Sequence, residues 1–335
     1  MRSKILAVAG AAALASGAAA EAGPRVAADV LPVHSLAALV MQGVGEPALV
    51  LPPGASPHGH ALRPSEAAAL ENAEVVFWVG EELTPWLADA LETLAPEARR
   101  IALIDAPGVR RLEFREGVTF EAHDHGPEDD HAHDDHAHDD HAHDDHAHGD
   151  HAHDEPHAHD HEGVDPHAWL DPANARAWLD AIAAALAEAD PANAAAYRAN
   201  AEAGKAGLTA LEAEIAADLA PLAGRDFVVF HDAYHYFEAR FGVEAAGAIS
   251  LADGSTPGPR RLAEIREAIA GMDAACVFTE PQFPPRLAET ATQGTGARLG
   301  TLDPVGAELA PGPELYPTLI RNMAASLKAC LDPTG

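Results

Sequence analysis

The sequence predicts an α/β fold with two domains, each built on a mostly parallel sheet and connected by one long helix. Short apolar strand segments alternate with helical patterns in the first third of the chain and again in the last third, which is typical of βαβ units. A continuous helical stripe lies between these regions. With 335 residues and 47% hydrophobic content, the chain can bury more than one core.

In the N-terminal domain, which we assign to residues 21–190, the strands are predicted at residues 25–30, 48–51, 75–79 and 101–104. Helices are predicted between them at residues 65–72 and 85–94. After a long insertion, a further helix begins at Asp171-Pro172, where an acidic N-cap is followed by proline at the first helical position.

The long helix is predicted over residues 191–220. It begins with the same signal at Asp190-Pro191, and Pro221 ends it. Small or apolar residues recur at every third or fourth position: Tyr197, Ala201, Gly204, Leu208, Leu211, Ile215 and Leu219. A rise of 1.5 Å per residue gives a rod of about 43 Å, so we expect it to connect the two domains.

The C-terminal domain, residues 221–335, repeats the alternation of strands and helices. Strands are predicted at residues 226–230, 243–249, 275–279 and 297–301. Helices are predicted from residue 233, at 259–270, at 285–293, and as a terminal helix to residue 331.

Charge and the N-terminus restrict the partners and the compartment. The chain has 21 Lys and Arg against 53 Asp and Glu, a net charge of −32, which excludes nucleic acid as a partner. Residues 1–20 have the order of a secretory signal peptide: Arg2 and Lys4, an apolar run, then an Ala-x-Ala cleavage site. No cysteine follows that run and no later apolar stretch is long enough to span a membrane. We expect an exported protein without a lipid anchor.

Residues 121–162 form a low-complexity tract that contains 15 of the 21 histidines and 16 acidic residues. The unit His-Ala-His-Asp-Asp recurs with a period of five, which matches neither a helix nor a strand, so we predict a disordered loop. Paired imidazoles among carboxylates can bind metal. The candidate auxiliary ligands are His131, His133, His136, His138, His141, His143, His146, His148, His151 and His153.

Outside the tract, three histidines lie where ligands are expected in α/β proteins, at strand ends or before a helix. His58 follows a predicted strand, His167 precedes a helix, and His231 ends the strand of the second domain. Asp303 follows the last strand and is a fourth candidate. Three imidazoles and one carboxylate or water suit tetrahedral zinc. The roles of the remaining histidines, His34, His60 and His235, stay open.

Two cysteines, Cys276 and Cys330, are present in a chain that we expect to be exported. An oxidising compartment favours pairing, and neither cysteine has the neighbours of a metal or redox motif. We therefore expect one disulfide bond.

Six separated motifs carry a resemblance to a known family. They are Gly54-Ala-Ser-Pro-His58, Leu62-Arg-Pro-Ser65, Asp165-Pro-His-Ala-Trp-Leu-Asp-Pro172, Phe230-His-Asp-Ala-Tyr234, Thr279-Glu-Pro-Gln-Phe283 and Gly300-Thr-Leu-Asp-Pro304. In this order they resemble the cluster A-I (family 9) solute-binding proteins of metal ABC transporters, and among them the periplasmic zinc binders of the ZnuA family. The acidic, histidine-rich insertion resembles that family too.

The resemblance implies two Rossmann-like lobes bridged by a long rigid helix, with Zn²⁺ held between the lobes. It implies His58, His167 and His231 as ligands and Asp303 as the carboxylate of related metal binders, and it agrees with a Cys276–Cys330 disulfide. It also implies a periplasmic monomer, without a membrane span of its own, that serves the permease and ATPase subunits of a zinc importer. Where some members have a carboxylate before the first ligand, this chain has Pro57, so Asp303 or water is left as the fourth ligand.

Two other functions remain open from the residues. A zinc hydrolase also uses three ligands and an open fourth position, but it needs a general base, for which Glu280 and Asp232 are the candidates. A zinc buffer would act mainly through the histidine tract. Zinc stoichiometry separates the buffer from the solute-binding protein, because one tight site with several weak ones fits the solute-binding protein and only weak sites fit the buffer.

Overall fold

The N-terminal lobe is built on a four-stranded parallel sheet, in a computed structural model that describes residues 23–115, 163–250, 258–271 and 274–332. The strands β1 (Val26–Ala28), β2 (Ala48–Leu49), β3 (Val75–Trp78) and β4 (Arg99–Ala102) have the order β2-β1-β3-β4. The connecting helices are α1 (Leu31–Val40), α2 (Pro64–Glu71) and α3 (Pro85–Leu94). The predicted signal peptide and the histidine tract lie outside the described residues.

Two details of this lobe differ from the sequence prediction. The strand predicted at residues 101–104 is shifted to Arg99–Ala102, because Leu103 and Ile104 enter a buried 3₁₀ turn. Helix α1 was not predicted. Nearly all of its residues are buried, since it packs against the sheet and also against helices from later in the chain, so it shows no polar face from which a helical period can be recognised.

The second lobe repeats the same topology. Its strands β5 (Phe227–His231), β6 (Gly247–Ser250), β7 (Cys276–Thr279) and β8 (Arg298–Thr301) are parallel and have the order β6-β5-β7-β8. The helices of this part of the chain are α6 (His235–Phe241), α7 (Pro259–Gly271), α8 (Arg286–Thr292) and α9 (Leu315–Leu331). The two-lobe α/β fold predicted from the sequence is confirmed.

Along the chain, two helices separate the strands of the two sheets: α4 (Pro172–Ala189) and the long α5 (Ala194–Leu219). The buried residues of α5 are the seven of the predicted stripe. Helix α5 packs against α4 and α1 from the first half of the chain and against α9 from the end of the chain. Its 26 residues extend about 39 Å, so one rod contacts both lobes, as predicted.

The disulfide bond between Cys276 and Cys330 is present, with the two Cα atoms 6.1 Å apart. It ties β7, in the middle of the second sheet, to the last turn of α9. Helix α9 in turn packs on α1 of the first lobe. In the part of the chain that the structure describes, no helix is both long and apolar enough to cross a membrane.

At Gly204, α5 packs closely against two neighbouring helices. A Cβ atom there would lie 2.6 Å from Cδ2 of Leu39 and 2.9 Å from Cδ1 of Leu179. The glycine therefore allows α1 and α4 to approach the backbone of the long helix. Gly207, three residues further along, has nothing within 4 Å of its ideal Cβ position.

We predict that Gly204→Ala lowers the free energy of unfolding by about 1–2 kcal/mol, because overpacking outweighs the gain in helix propensity. The matched variant Gly207→Ala adds only propensity and should raise it by about 0.5–1 kcal/mol. Chemical unfolding of both variants is the measurement. Equal stabilisation by the two alanines would contradict the packing role of Gly204.

Candidate metal centre

Three histidines from distant parts of the sequence meet between the lobes. His58 lies in the loop that follows β2, His167 lies just before the 3₁₀ turn Ala168–Leu170, and His231 is the last residue of β5. Each of the three offers one ligand atom, and these atoms all lie within 4.8 Å of one another. Among the described residues this is the one group of potential ligands that meets such a criterion.

The spacing of the imidazoles fits a tetrahedral ion. The Nε2 atoms of His58 and His167 are 3.3 Å apart, and a tetrahedral site with Zn–N bonds of 2.0–2.1 Å has edges of about 3.3–3.4 Å. The ring of His231 completes the triangle, with its centroid 5.3 Å from that of His167 and 6.1 Å from that of His58. The geometry therefore suits one ion bound by three ring nitrogens.

Two buried carboxylates orient two of these rings. Nδ1 of His167 lies 2.7 Å from Oδ1 of Asp165, and Nδ1 of His231 lies 2.6 Å from Oε1 of Glu280. A ring nitrogen next to a carboxylate carries the proton and donates it, which leaves Nε2 with a lone pair for a metal. Asp165 and Glu280 are only 1% and 3% exposed, so water does not displace either carboxylate from its imidazole.

Local backbone structure explains why Asp165 reaches His167. The carboxylate of Asp165 also accepts the backbone N–H of His167, at 2.9 Å. In this short turn over Asp165-Pro166-His167, one carboxylate therefore binds both the ring and the backbone N–H of His167. The role of Asp165 was not predicted from the sequence, although its motif was recognised. The signal for this role is the position of an acidic residue two places before a histidine.

The structure does not bring Asp303 into the cluster. Its Oδ1 accepts the N–H groups of Val305 and Gly306, at 3.1 and 2.9 Å, and its Oδ2 accepts that of Ala307 at 2.7 Å. The carboxylate thus caps its own loop after β8. Asp303 also lies outside the set of side chains that line the cavity between the three imidazoles.

The other three histidines have partners away from the cluster. His60 Nε2 lies 2.8 Å from Oε2 of Glu66, and its ring contacts that of Trp86, which donates its indole N–H to the carbonyl of Pro57. These contacts support the loop that carries His58. His34 Nε2 lies 3.0 Å from the carbonyl oxygen of Pro47.

His235 begins helix α6, whereas His231 ends β5, so the two histidines do not share a helix. Burial lowers its pKa, and the positive charge of Arg115 acts in the same direction. It is therefore held in its neutral form near the residues that flank the histidine tract.

The residues that flank the tract lie beside the metal centre. Glu113 and Val164 form an antiparallel bridge, so the chain leaves toward the tract and returns from it at one place. Tyr236 holds both sides: its hydroxyl accepts the N–H of Leu112 at 2.9 Å and donates to the carbonyl of Asp165 at 2.8 Å. The described residues on the two sides of the tract are therefore held together close to His167.

Arg115 adds a charged contact between this anchor and the second lobe. Its guanidinium donates to the carboxylate of Asp232, which directly follows His231, and to that of Glu238 in α6. Burial opposes the charge of Arg115, but Glu238 and Asp232 together raise its pKa well above the ordinary value. Asp232 is thus committed to an ion pair and does not orient a ligand imidazole.

Comparison with known proteins agrees with this architecture. A family model described as "ZnuA: Zinc-uptake complex component A periplasmic" matches residues 26–330. The chain belongs to the ZnuA family. The high-affinity zinc uptake system protein ZnuA of Brucella abortus (strain 2308) is 49% identical to it over 306 residues, which cover 91% of each sequence.

Two solved structures share the fold. A crystal structure of ZnuA aligns with a TM-score of 0.71 and 22% identity, covering 92% of this chain and 100% of that one. The zinc-bound crystal structure of a ZnuA deletion mutant aligns with a TM-score of 0.69 and 23% identity, covering 92% and 98%. Because the ZnuA family comprises periplasmic components of zinc-uptake complexes, the sequence-based interpretation as a zinc-binding transport component, and not an enzyme, is confirmed.

We predict that His58→Ala weakens zinc binding by roughly 100-fold or more, since it removes a direct ligand. The matched variant His60→Ala removes an imidazole two residues away that contacts Glu66 and Trp86, and should weaken binding less than about tenfold. Competition with a chelator of known affinity measures both. A loss with His60→Ala as large as with His58→Ala would refute the assignment of ligands in this loop.

Proposed function

We propose that this protein captures Zn²⁺ in the periplasm with His58, His167 and His231 and delivers it to the membrane permease and ATPase subunits of an ABC importer. The observation that carries the proposal is the cluster itself, in which two of three imidazoles have Nδ1 fixed by a buried carboxylate. Such a preorganised set loses little conformational entropy when the ion binds. The protein acts as a monomer and reaches the periplasm through a cleavable signal peptide, without a lipid anchor.

Zinc is the cargo that the donor set favours. Imidazole nitrogens suit Zn²⁺, Cu²⁺ and Ni²⁺, whereas Mn²⁺ and Mg²⁺ prefer oxygen ligands. Copper binds such ligands tightly as well, so the supply of metal in the cell contributes to selectivity. We propose water as the fourth ligand. The carboxylate of Asp303 is already bound by the three N–H donors of its own loop.

The arrangement of carboxylates argues against hydrolysis. A zinc hydrolase needs a free general base next to the metal-bound water. Glu280 and Asp165 each accept from a ligand imidazole, and Asp232 pairs with Arg115. Each of these carboxylates is thereby committed to orienting or fixing another side chain.

We further propose that the tract at residues 121–162 provides weaker, auxiliary zinc sites. Its ten paired histidines, from His131 to His153, are interleaved with acidic residues, and ordering them around an ion costs entropy that the preorganised cluster does not lose. The anchoring of the tract beside His167 and His231 supports a role in raising the local zinc concentration near the cluster. A buffer that acts through the tract alone would not need the cluster.

We predict that replacing all fifteen histidines of residues 121–162 by serine abolishes the weak sites at neutral pH and leaves one tight site. The substitution keeps the length of the tract and both of its anchors. Isothermal titration of the mature protein, the serine variant and His58→Ala separates the two kinds of site, and His58→Ala should retain only the weak ones. Acidification to about pH 5.5 should release tract-bound zinc first, because an unperturbed imidazole has a pKa of about 6.5 and must lose its proton before it binds zinc.

Either of two results would overturn this division of roles. In the first, the serine variant loses its tight site. In the second, the intact protein binds a single equivalent of zinc at neutral pH.

A further inference from the structure

The carboxamide of Gln282 is a polar group in the metal centre that the ligand set leaves unused. Gln282 lies in the loop after β7, two residues beyond Glu280, and lines the same cavity as the three imidazoles. Its Oε1 atom is buried and has no hydrogen-bond partner within the described parts of the chain. Burying a carbonyl oxygen without a hydrogen-bond donor costs free energy, so the unpaired Oε1 of Gln282 requires an explanation.

Asp303 fixes the orientation of this amide. Nε2 of Gln282 lies 3.4 Å from Oδ1 of Asp303. A carboxylate only accepts hydrogen bonds, so the edge that faces it must be the NH₂ group and the carbonyl edge must face the other way. The three backbone donors of the loop after β8 hold the carboxylate in place, so the amide cannot turn over without placing its oxygen against another oxygen.

The cavity next to Gln282 has the size and chemistry of a site for one small donor. Its volume is about 10 Å³, which is close to the room that a single water molecule needs. Three imidazole nitrogens leave one position of a tetrahedral zinc ion open. A water molecule bound there has two protons to donate, and Gln282, whose Oε1 is a buried acceptor, is one of the residues that line this cavity.

We propose that Gln282 is a positioning residue of the zinc site: its carbonyl oxygen accepts a hydrogen bond from the metal-bound water, and Asp303 holds the amide in that orientation. This inference rests on the proposed three-histidine site. The pair also contributes to ligand specificity. A carbonyl oxygen attracts a water molecule that donates, whereas it repels an anion such as thiocyanate, which only accepts.

The experiment uses the mature protein loaded with Co²⁺ in place of zinc, because the visible spectrum of Co²⁺ reports on its ligands. We expect Gln282→Leu, and Gln282→Met as a second variant of similar length, to weaken zinc binding roughly threefold to tenfold, the effect of one hydrogen bond. The same variants should bind thiocyanate to the Co²⁺ form more tightly by a similar factor and shift its visible bands. Gln293→Leu, at an exposed glutamine after α8, should change neither quantity.

Asp303→Ala tests the second half of the proposal. Alone, it should weaken zinc binding, and in the Gln282→Leu background it should add nothing, because its effect passes through the amide. Melting temperatures of the metal-free variants monitor folding. Unchanged thiocyanate affinity in both Gln282 variants, or a parallel loss of zinc and thiocyanate affinity, would overturn the proposal. Failure of the three-histidine site is seen separately, as a tight zinc site that survives His167→Ala.

Discussion

The metal centre depends on two buried pairs of carboxylate and imidazole, Asp165 with His167 and Glu280 with His231. Each pair fixes which ring nitrogen carries the proton and thereby directs Nε2 toward the same point between the lobes. Because the carboxylates are almost completely buried, the ring orientations are set before metal arrives. His58 is the third proposed ligand, and it comes from a loop that Trp86 supports through the carbonyl of Pro57.

The three histidines can meet only if the two lobes keep a fixed position relative to each other. Trp169 donates its indole N–H to the carbonyl of Pro304, and its own carbonyl accepts the hydroxyl of Tyr316, both at 2.7 Å. The backbone N–H of Tyr316 in turn donates to Oγ of Ser35 in α1. Together with α5, these bonds connect Trp169, two positions after His167, to both lobes. The three histidines are therefore carried by elements that are bonded to one another.

The sequence predicted those parts of the fold that depend on local periodicity. The stripe on α5 is visible because one face of that helix is buried and the other is solvated, and its seven residues are the ones that the structure buries. Helix α1 escaped prediction because burial on nearly all sides removes the polar face, and the shift of β4 was missed because Leu103 and Ile104 are as apolar in a 3₁₀ turn as in a strand.

The metal centre was predictable to a lesser extent. Strand ends and a family resemblance identified the three histidines. Side-chain direction is not encoded in such patterns, so Asp303, which follows a strand as His58 does, was expected to face the metal although it caps its own loop. The role of Gln282 depends on a contact between two loops separated by 21 residues and is visible only in three dimensions.

X-ray absorption spectroscopy of the zinc-loaded mature protein, with the fifteen tract histidines replaced by serine, shows directly whether three imidazoles bind the ion. We expect one zinc ion with three imidazole nitrogens at about 2.0–2.1 Å and one further oxygen from water. Asp303→Ala should leave the number and type of these ligands unchanged. A spectrum with fewer than three imidazoles, or one that loses an oxygen ligand in Asp303→Ala, would contradict it.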